Sequence, residues 1–83
     1  MPYIKQEKRK IMDRIVSEMW ASGVKADGDL NYILFAFCKR CVEPSYNNYK
    51  NYIGELHQCA SEIERRLLSK YEDDAILRNG DVD

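Results

Sequence analysis

The chain has 83 residues, of which 45% are hydrophobic and 33% charged, and its net charge is −1. This balance argues against a disordered chain and against a partner such as a nucleic acid polymer. No apolar run approaches the roughly 20 residues that a membrane-spanning helix needs, so we expect no membrane partner. The length predicts a single helical domain over 1–83, with a small core.

The N-terminal segment and the cysteines indicate where the protein works. MPYIKQEKRK lacks the apolar centre of a signal peptide, and an odd number of cysteines, three, fits reduced thiols better than disulfides. We therefore expect a cytoplasmic protein. Charge is uneven along the chain, with a sum of +3 over residues 1–25 (six basic, three acidic) and −4 over residues 71–83 (one basic, five acidic). Either the two ends lie close together, in one chain or between chains, or the basic first helix meets phosphate.

Two helices are predicted in the first half. Pro2 favours an extended start over Met1–Ile4, and a first helix follows from about Lys5 to Trp20. A glycine-flanked turn over 23–28 separates it from a second helix, which runs from Leu30 to about Val42 with Asp29 as the candidate N-cap.

The long third helix is the most informative element. Pro44 ends the second helix, Ser45 caps the third, and the helical pattern continues to about Lys70 or Tyr71. Apolar residues recur at spacings of three and four, as one face of a helix requires. We call this face the seam; it consists of Tyr49, Ile53, Leu56, Ala60, Ile63 and Leu67.

The chain end predicts little more structure. Residues 72–77 add a short helical turn, Asn79-Gly80 is a helix stop, and residues 81–83 form a frayed tail. The fold class is therefore all-α: a small three-helix domain with a short C-terminal turn. So short a chain cannot cover the seam by itself, so we also expect a homo-oligomer.

A metal or redox centre is a weak interpretation of the cysteines. Cys38, Cys41, His57 and Cys59 supply four ligand types that zinc accepts. However, His57 and Cys59 are two residues apart and point to opposite sides of a helix. Cys38-x-x-Cys41 lies at a predicted helix C-terminus, where the dipole disfavours a thiolate. Packing of small side chains is the favoured interpretation, and we expect neither a metal nor a cofactor.

Nothing in the pattern indicates catalysis. The one histidine, His57, has no glycine-flanked nucleophile near it, and the acidic pairs Glu62/Glu64 and Asp73/Asp74 are typical of a solvated helix face. We therefore expect a protein that is not an enzyme.

Aromatic and amide side chains crowd the first two turns of the third helix, and two arginines follow near its end. Tyrosines stack on flat heterocycles, amides bind their edges, and arginines neutralise phosphates. The candidate ligand-binding residues are Tyr46, Asn48, Tyr49, Asn51, Tyr52, Arg65 and Arg66. A protein interface is the alternative, because tyrosine and arginine are enriched there too.

Several short motifs together carry a family resemblance. They are Met1-Pro2-Tyr3-Ile4, Gly28-Asp29-Leu30-Asn31-Tyr32, Tyr46…Gly54-Glu55-Leu56, Glu64-Arg65-Arg66, Tyr71-Glu72-Asp73 and Asn79-Gly80-Asp81-Val82. In this order, over essentially the whole chain, they resemble a family of short proteins of unknown function encoded by bacteria and their phages. The resemblance implies a compact, mostly helical protein and supplies no catalytic residues.

A small phage-related protein without catalytic residues suggests action by sequestration or obstruction. The first hypothesis is a sponge that binds a small phosphorylated ligand, such as a cyclic nucleotide immune signal, and withdraws it by mass action. The second is an inhibitor or adaptor that covers a host protein with its helical surface. The third hypothesis is an oligomer with a purely structural role.

Overall fold

The computed structural model describes residues 4–82, and it confirms the all-α fold. In chain order the elements are α1 (Gln6–Ala21), α2 (Gly28–Cys41), α3 (Tyr46–Ile63), a π-helical turn (Glu64–Leu68) and α4 (Ser69–Asn79). The described residues contain no strand. Residues 1–3, most of the predicted extended start, and Asp83 of the predicted tail lie outside the described part.

The described residues fall into two compact units, 4–49 and 50–82. The first holds α1, α2 and the first turn of α3. The second holds the rest of α3, the π turn and α4.

A complete C-terminal cap ends α1. Gly23 adopts a φ of +77°, a conformation that glycine tolerates without strain. Its N–H donates to Trp20 O at 3.1 Å, and the N–H of Val24 donates to Met19 O at 3.0 Å. These two bonds make the Schellman motif, in which the residue after the glycine packs on the last helical turn. Val24 and Met19 are both half-buried, as this packing requires.

The N-cap of α2 differs from the prediction. The capping residue is Asp27, not Asp29: the Asp27 side chain accepts a hydrogen bond from the Asp29 N–H at 2.9 Å. Asp29 lies inside the first turn, and its carboxylate accepts from the Lys25 N–H at 3.3 Å. Both carboxylates lie near the positive end of the helix dipole, so either position looked favourable from sequence.

The predicted cap of α3 is confirmed. The Ser45 hydroxyl accepts a hydrogen bond from the Asn48 N–H at 3.0 Å. The Asn48 side-chain amide reaches back and donates to Glu43 O at 3.0 Å. Ser45 and Asn48 therefore fix the direction in which the chain enters α3, because Ser45 satisfies an N–H of the first helical turn and Asn48 satisfies a carbonyl that precedes the helix.

The C-terminal region is more helical than predicted. Helical structure continues without a break through the π turn and α4 to Asn79. The predicted helical turn over 72–77 is confirmed as part of the longer α4, whereas the predicted break near Lys70 or Tyr71 is not observed. In the π turn, Glu64 O accepts from the Ser69 N–H, five residues later, and from the Ser69 hydroxyl at 2.8 Å. The wider turn lets the helix continue instead of breaking. The predicted stop at Asn79-Gly80 is confirmed: Gly80 has a φ of +83°, and its N–H donates to Ile76 O at 2.7 Å.

No residue of the described part is fully buried. In 4–49, half-buried side chains concentrate around the α1–α2 loop and along α2; they are Met19, Val24, Leu30, Ile33, Leu34, Ala36 and Cys38, together with Ile4 and Val42 at the margins. In 50–82, they are Tyr52, Glu62 and Ala75. The seam residues Ile53, Leu56, Ile63 and Leu67 are all exposed.

Candidate functional site

The three tyrosines of the candidate site follow one another along the start of α3. Tyr46, the first residue of the helix, is 80% exposed, and Tyr49 is 40% exposed. Tyr52 is half-buried. The spacing of three places them on neighbouring positions of the helix surface. The first two turns of α3 therefore present a column of rings, of which the outermost is the most accessible.

The two asparagines of the candidate site differ in their hydrogen bonds and exposure. Asn48 is part of the helix cap through its N–H and its side-chain amide. This explains why an asparagine occupies the third position of a helix, where it is otherwise a poor choice. Asn51 lies one turn later and is exposed. Of the two amides, Asn51 is better placed to meet a ligand.

The two arginines converge on one carboxylate. Arg65 Nη2 lies 2.6 Å from Glu62 Oε1, and Arg66 Nη1 lies 3.7 Å from Glu62 Oε2. The sequence suggested the Glu62–Arg66 pair at the spacing of four; the closer contact, to Arg65, has the spacing of three. The arginine side chains are 66% and 56% exposed, whereas that of Glu62 is only 13% exposed.

This arrangement shifts the titration of Glu62. The hydrogen bond from Arg65 is the largest influence and, with the charges of both arginines, outweighs desolvation; the pKa of Glu62 is therefore lowered from its ordinary value of 4.5. Glu62 Oε2 is covered and accepts no hydrogen bond, since Arg66 stays at ion-pair distance. Glu62 is thus ionised at neutral pH and offsets part of the positive charge of the arginine pair.

The aromatic and arginine parts of the site are far apart within one chain. Tyr52 and Arg65 are 13 residues apart along the same helical segment. At 1.5 Å of rise per residue, this separates them by about 20 Å. One mononucleotide cannot stack on Tyr52 and reach the Arg65 guanidinium across that distance. The candidate residues of one chain therefore fall into two separate groups, which we call candidate half-sites.

The cysteines and the histidine form no centre that the structure reveals. Cys38 is half-buried on α2, and Cys41 and Cys59 are exposed; none of the three forms a disulfide. Within residues 4–82, no group of three or more His, Cys, Asp or Glu side chains is arranged to hold a metal ion. No helix in the same range is long and apolar enough to cross a membrane.

A notch that the sequence analysis missed lies between α1 and α2. It has a volume of about 390 Å³, and its lining includes Ile15, Met19, Val24 and Ile33, with Arg14 and Glu18 beside them. The Schellman cap creates it, because the cap turns Val24 back towards Met19. The signal in the sequence was the order Gly23-Val24 after an amphipathic helix, which predicts this packing.

Comparison with known families identifies the chain. Residues 1–82 match the model of a domain of unknown function (DUF6899), and the protein therefore belongs to the DUF6899 family. The match spans almost the entire length and agrees with the resemblance carried by the short motifs. No curated protein and no solved structure matches the chain.

Proposed function

Starting from this DUF6899 membership, we propose that the protein is a non-enzymatic, phage-related binding protein that sequesters a small phosphorylated ligand. A cyclic nucleotide immune signal is the ligand class that we propose. The protein acts in the cytoplasm of a bacterial host as a homo-oligomer, and it works as a sponge, by affinity and abundance. Capture of this kind needs no reaction: a ligand is withdrawn when the free protein concentration exceeds Kd.

The exposure of the tyrosine column carries the proposal. Tyr46 holds 80% of its surface open to solvent at the start of α3, and Tyr49 and Tyr52 follow one turn apart. Stacking of a base on an aromatic ring contributes about 1–3 kcal/mol and needs no deep pocket. Asn51 is exposed and offers both a donor and an acceptor to a base edge, but it lies about 100° or more around the helix from each ring, so it would bind a ligand group that extends beyond the column.

The arginine pair supplies the second requirement, an anchor for phosphate. Arg65 and Arg66 remain more than half exposed while they contact Glu62. Each guanidinium has five N–H donors, so contact with one carboxylate does not exhaust it. Glu62 holds the two side chains near each other, which lowers the entropy that a phosphate must remove when it binds.

Self-association is the third part of the proposal. The seam residues Ile53, Leu56, Ile63 and Leu67 are exposed along α3 and the π turn. A contiguous apolar face of this kind marks an interaction surface in a water-exposed protein. A second copy also supplies a second set of half-sites.

The test is ligand retention followed by titration. Native mass spectrometry of the protein purified from a bacterial host should show a defined oligomer with added mass per site. Isothermal titration with 3′,5′-cyclic AMP as the probe should then give binding that Tyr46→Ala or Arg66→Ala weakens with the oligomer intact. Loss of one stacked ring corresponds to roughly 5- to 150-fold in Kd.

Two control variants keep this test specific. Tyr32→Ala and Arg40→Ala remove the same side-chain types from α2, outside the candidate site. In the parent, Arg40 Nη2 donates to the Tyr32 hydroxyl at 3.5 Å. Both control variants should bind cyclic AMP as the parent does. Equal binding by all four variants would show that the site is wrong. A parent without added mass and without affinity for cyclic AMP would refute capture of this ligand.

The second candidate function is a protein-binding inhibitor or adaptor. The observation that favours it is the same exposed seam, because an amphipathic helix binds a hydrophobic groove through residues at these spacings. The variant that tests this candidate is Leu56→Asp, measured together with cyclic AMP binding by the parent, because the first proposal also uses the seam for self-association and only it predicts cyclic AMP binding. A groove-binding protein loses its partner with this change, and a pull-down from the host with parent and variant compares the two directly.

A further inference from the structure

Gly54 lies in the middle of α3, where nothing within the described chain accounts for a glycine. Glycine destabilises a helix interior relative to alanine, because it loses the most backbone freedom on folding. The backbone at Gly54 has the ordinary helical conformation, which alanine also adopts. Within residues 4–82, a Cβ added at Gly54 would meet nothing within 4 Å beyond its chain neighbours and its own helix backbone. Neither backbone conformation nor crowding therefore requires glycine at this position.

The apolar seam does not explain Gly54 either. Leu56 lies two residues after Gly54, about 160° around the helix, and Ala60 lies six residues after it, about 120° around. A surface that covered the seam would therefore not meet Gly54. The missing side chain belongs to a different face of α3.

The nearest neighbours of Gly54 on this face all donate hydrogen bonds. On a helix surface the nearest neighbours are the residues three and four positions before and after. For Gly54 they are Lys50, Asn51, His57 and Gln58, all of them exposed. They offer an ammonium, two amide groups and an imidazole, each with at least one N–H donor. None of the four is acidic, so the surroundings of Gly54 combine donors with positive charge.

These four side chains and the glycine form a shallow depression, which we call the Gly54 dimple. Helical side chains lean towards the N-terminus, so those of His57 and Gln58 lean over Gly54. Lys50 has a flexible four-carbon stem, which lets its ammonium reach the edge of the depression. Because Gly54 has no side chain, a ligand atom can approach the backbone of α3 closely and remain within reach of these donors.

The two carboxylates of α3 lie away from the dimple. Glu55 is about 100° around the helix from Gly54. Glu62 is eight residues, about 12 Å of rise, from Gly54, and Arg65 holds its carboxylate at 2.6 Å. An anion at Gly54 therefore does not meet a carboxylate of the same helix at close range.

The residues of the dimple are poor choices for a face that only has to be solvated. Glycine, asparagine and histidine have lower helix propensities than lysine, glutamate or glutamine, which usually fill such faces. Gly54, Asn51 and His57 thus lower the stability of an isolated α3 together. This pattern indicates that the open backbone and the donors around it are used for binding.

We propose that the Gly54 dimple binds a phosphate group, either as inorganic phosphate or as the terminal phosphate of a small phosphorylated molecule. Phosphate oxygens are strong acceptors and point in several directions, so they match donors that surround a depression. The site goes beyond the proposed function, because it uses neither the tyrosine column nor the arginine pair. Of the candidate ligand-binding residues, only Asn51 belongs to it.

The site is tested by NMR titration of the ¹⁵N-labelled full-length protein with inorganic phosphate, at constant pH and ionic strength. The backbone amide of Gly54 and the side-chain amides of Asn51 and Gln58 should shift and saturate. Acetate, an anion with two oxygens, should bind more weakly at the same positions. Shifts that do not saturate, that leave Gly54 unchanged or that acetate reproduces equally would overturn the proposal.

Substitutions of Gly54 should affect stability and binding in opposite directions. Gly54→Ala should raise the midpoint of thermal unfolding by about 4–8 °C, because alanine is the better helix former. Gly54→Gln fills the dimple with another good helix former and should weaken phosphate binding by about fivefold or more. Cys59→Gln, at an exposed position about 140° around α3, should bind phosphate as the parent does. Parent-like binding by Gly54→Gln would overturn the proposal.

The contribution of charge has a matched pair of variants. Lys50→Gln should weaken phosphate binding roughly two- to fivefold, the range of an exposed ion pair. Lys70→Gln makes the same change in α4, outside the dimple, and should bind phosphate as the parent does. Equal weakening by the two variants would show that phosphate responds only to net charge, which would overturn the site.

A second probe, 5′-AMP, distinguishes the two sources of phosphate. Tighter binding of 5′-AMP than of inorganic phosphate, with the same shift at Gly54, assigns the site to a phosphorylated small molecule. Equal affinities assign it to the phosphate group alone. Binding of cyclic AMP judges the proposed function, whereas the Gly54 shifts judge the dimple, so either can fail without the other.

Discussion

Residues 4–49 and residues 50–82 are both helical, but different interactions hold them. In 4–49 the half-buried residues come from both helices and from the loop between them, as Met19, Val24 and Ile33 illustrate. In 50–82 the ion pair of Glu62 with Arg65 and the hydrogen bond from Ser69 to Glu64 O lie along one helical segment. The first region thus has a cluster of half-buried apolar residues, whereas the second exposes its apolar face.

This difference shows where each region obtains its stability. Isolated helices are marginal in water, and tertiary packing of the apolar face supplies most of the stability of helices in proteins. The α1–α2 region finds part of that packing between its own helices. The seam of α3 is exposed, so under the proposed self-association the second region is the one whose stability should depend on protein concentration.

The largest expected effect that sharpens this contrast is in the first region. Ile33→Ala should lower the free energy of unfolding by about 1–2 kcal/mol, because a half-buried isoleucine loses part of its apolar contact at the notch. Phe35→Ala on the same helix, where the side chain is 68% exposed, should cost at most about 0.5 kcal/mol. Urea unfolding measures both. An equal loss of unfolding free energy in the two variants would mean that packing at the notch does not stabilise the fold.

A smaller effect tests the junction at which α3 begins. Ser45→Ala should cost about 1 kcal/mol, because the Asn48 N–H loses its acceptor at the start of α3. Ser61→Ala in the same helix is the control, and it should be neutral or slightly stabilising, since alanine has the higher helix propensity. Thermal unfolding monitored by circular dichroism measures the pair. A cost at Ser61 as large as at Ser45 would contradict the role of the cap.

The smallest effect concerns the second region and its pH dependence. The pKa of Glu62 is below 4.5, so its ion pairs stabilise the folded chain fully above that pH and are lost as the pH falls through the lowered value. Carbon-13 NMR of the Glu62 carboxyl should follow this titration. Arg65→Ala should move the pKa back towards 4.5, and Arg78→Ala, a change at a residue that contacts Tyr71 instead, should not. An unshifted Glu62 would mean that the pairs do not persist in solution.

Most of the helical architecture could be predicted from the sequence, because the signals are local. The spacing of the seam predicted α3, and Ser45 and Asn79-Gly80 marked where helical structure begins and ends. The N-cap of α2 was predicted as Asp29 instead of Asp27, because both residues have carboxylates near the same helix end. The π turn was missed because it depends on one hydrogen bond from Ser69 to a carbonyl five residues back, which no period reveals.

The candidate site was less predictable than the fold. Tyr46, Tyr52, Arg65 and Arg66 were chosen for their chemistry, and sequence order does not show that the rings and the arginines are about 20–30 Å apart on a single helical segment. Asn48 was chosen as an edge-binding amide, and it caps the backbone instead of standing open. Side-chain chemistry suggests what a residue can bind, but the helix geometry decides which residues can bind together.

The contact of both arginines with Glu62 means that the protein already provides their first anion. A phosphate that approaches Arg65 or Arg66 enters a position partly occupied by a carboxylate, so its binding is an exchange of one counter-charge for another. This exchange favours a ligand with more negative charge than Glu62. A ligand with a single carboxylate only restores the interaction that Glu62 already makes with the arginines. Under the proposed function, Glu62 would thereby act as a selectivity element, because it raises the affinity that a carboxylate metabolite needs in order to displace it more than the affinity that a phosphorylated ligand needs.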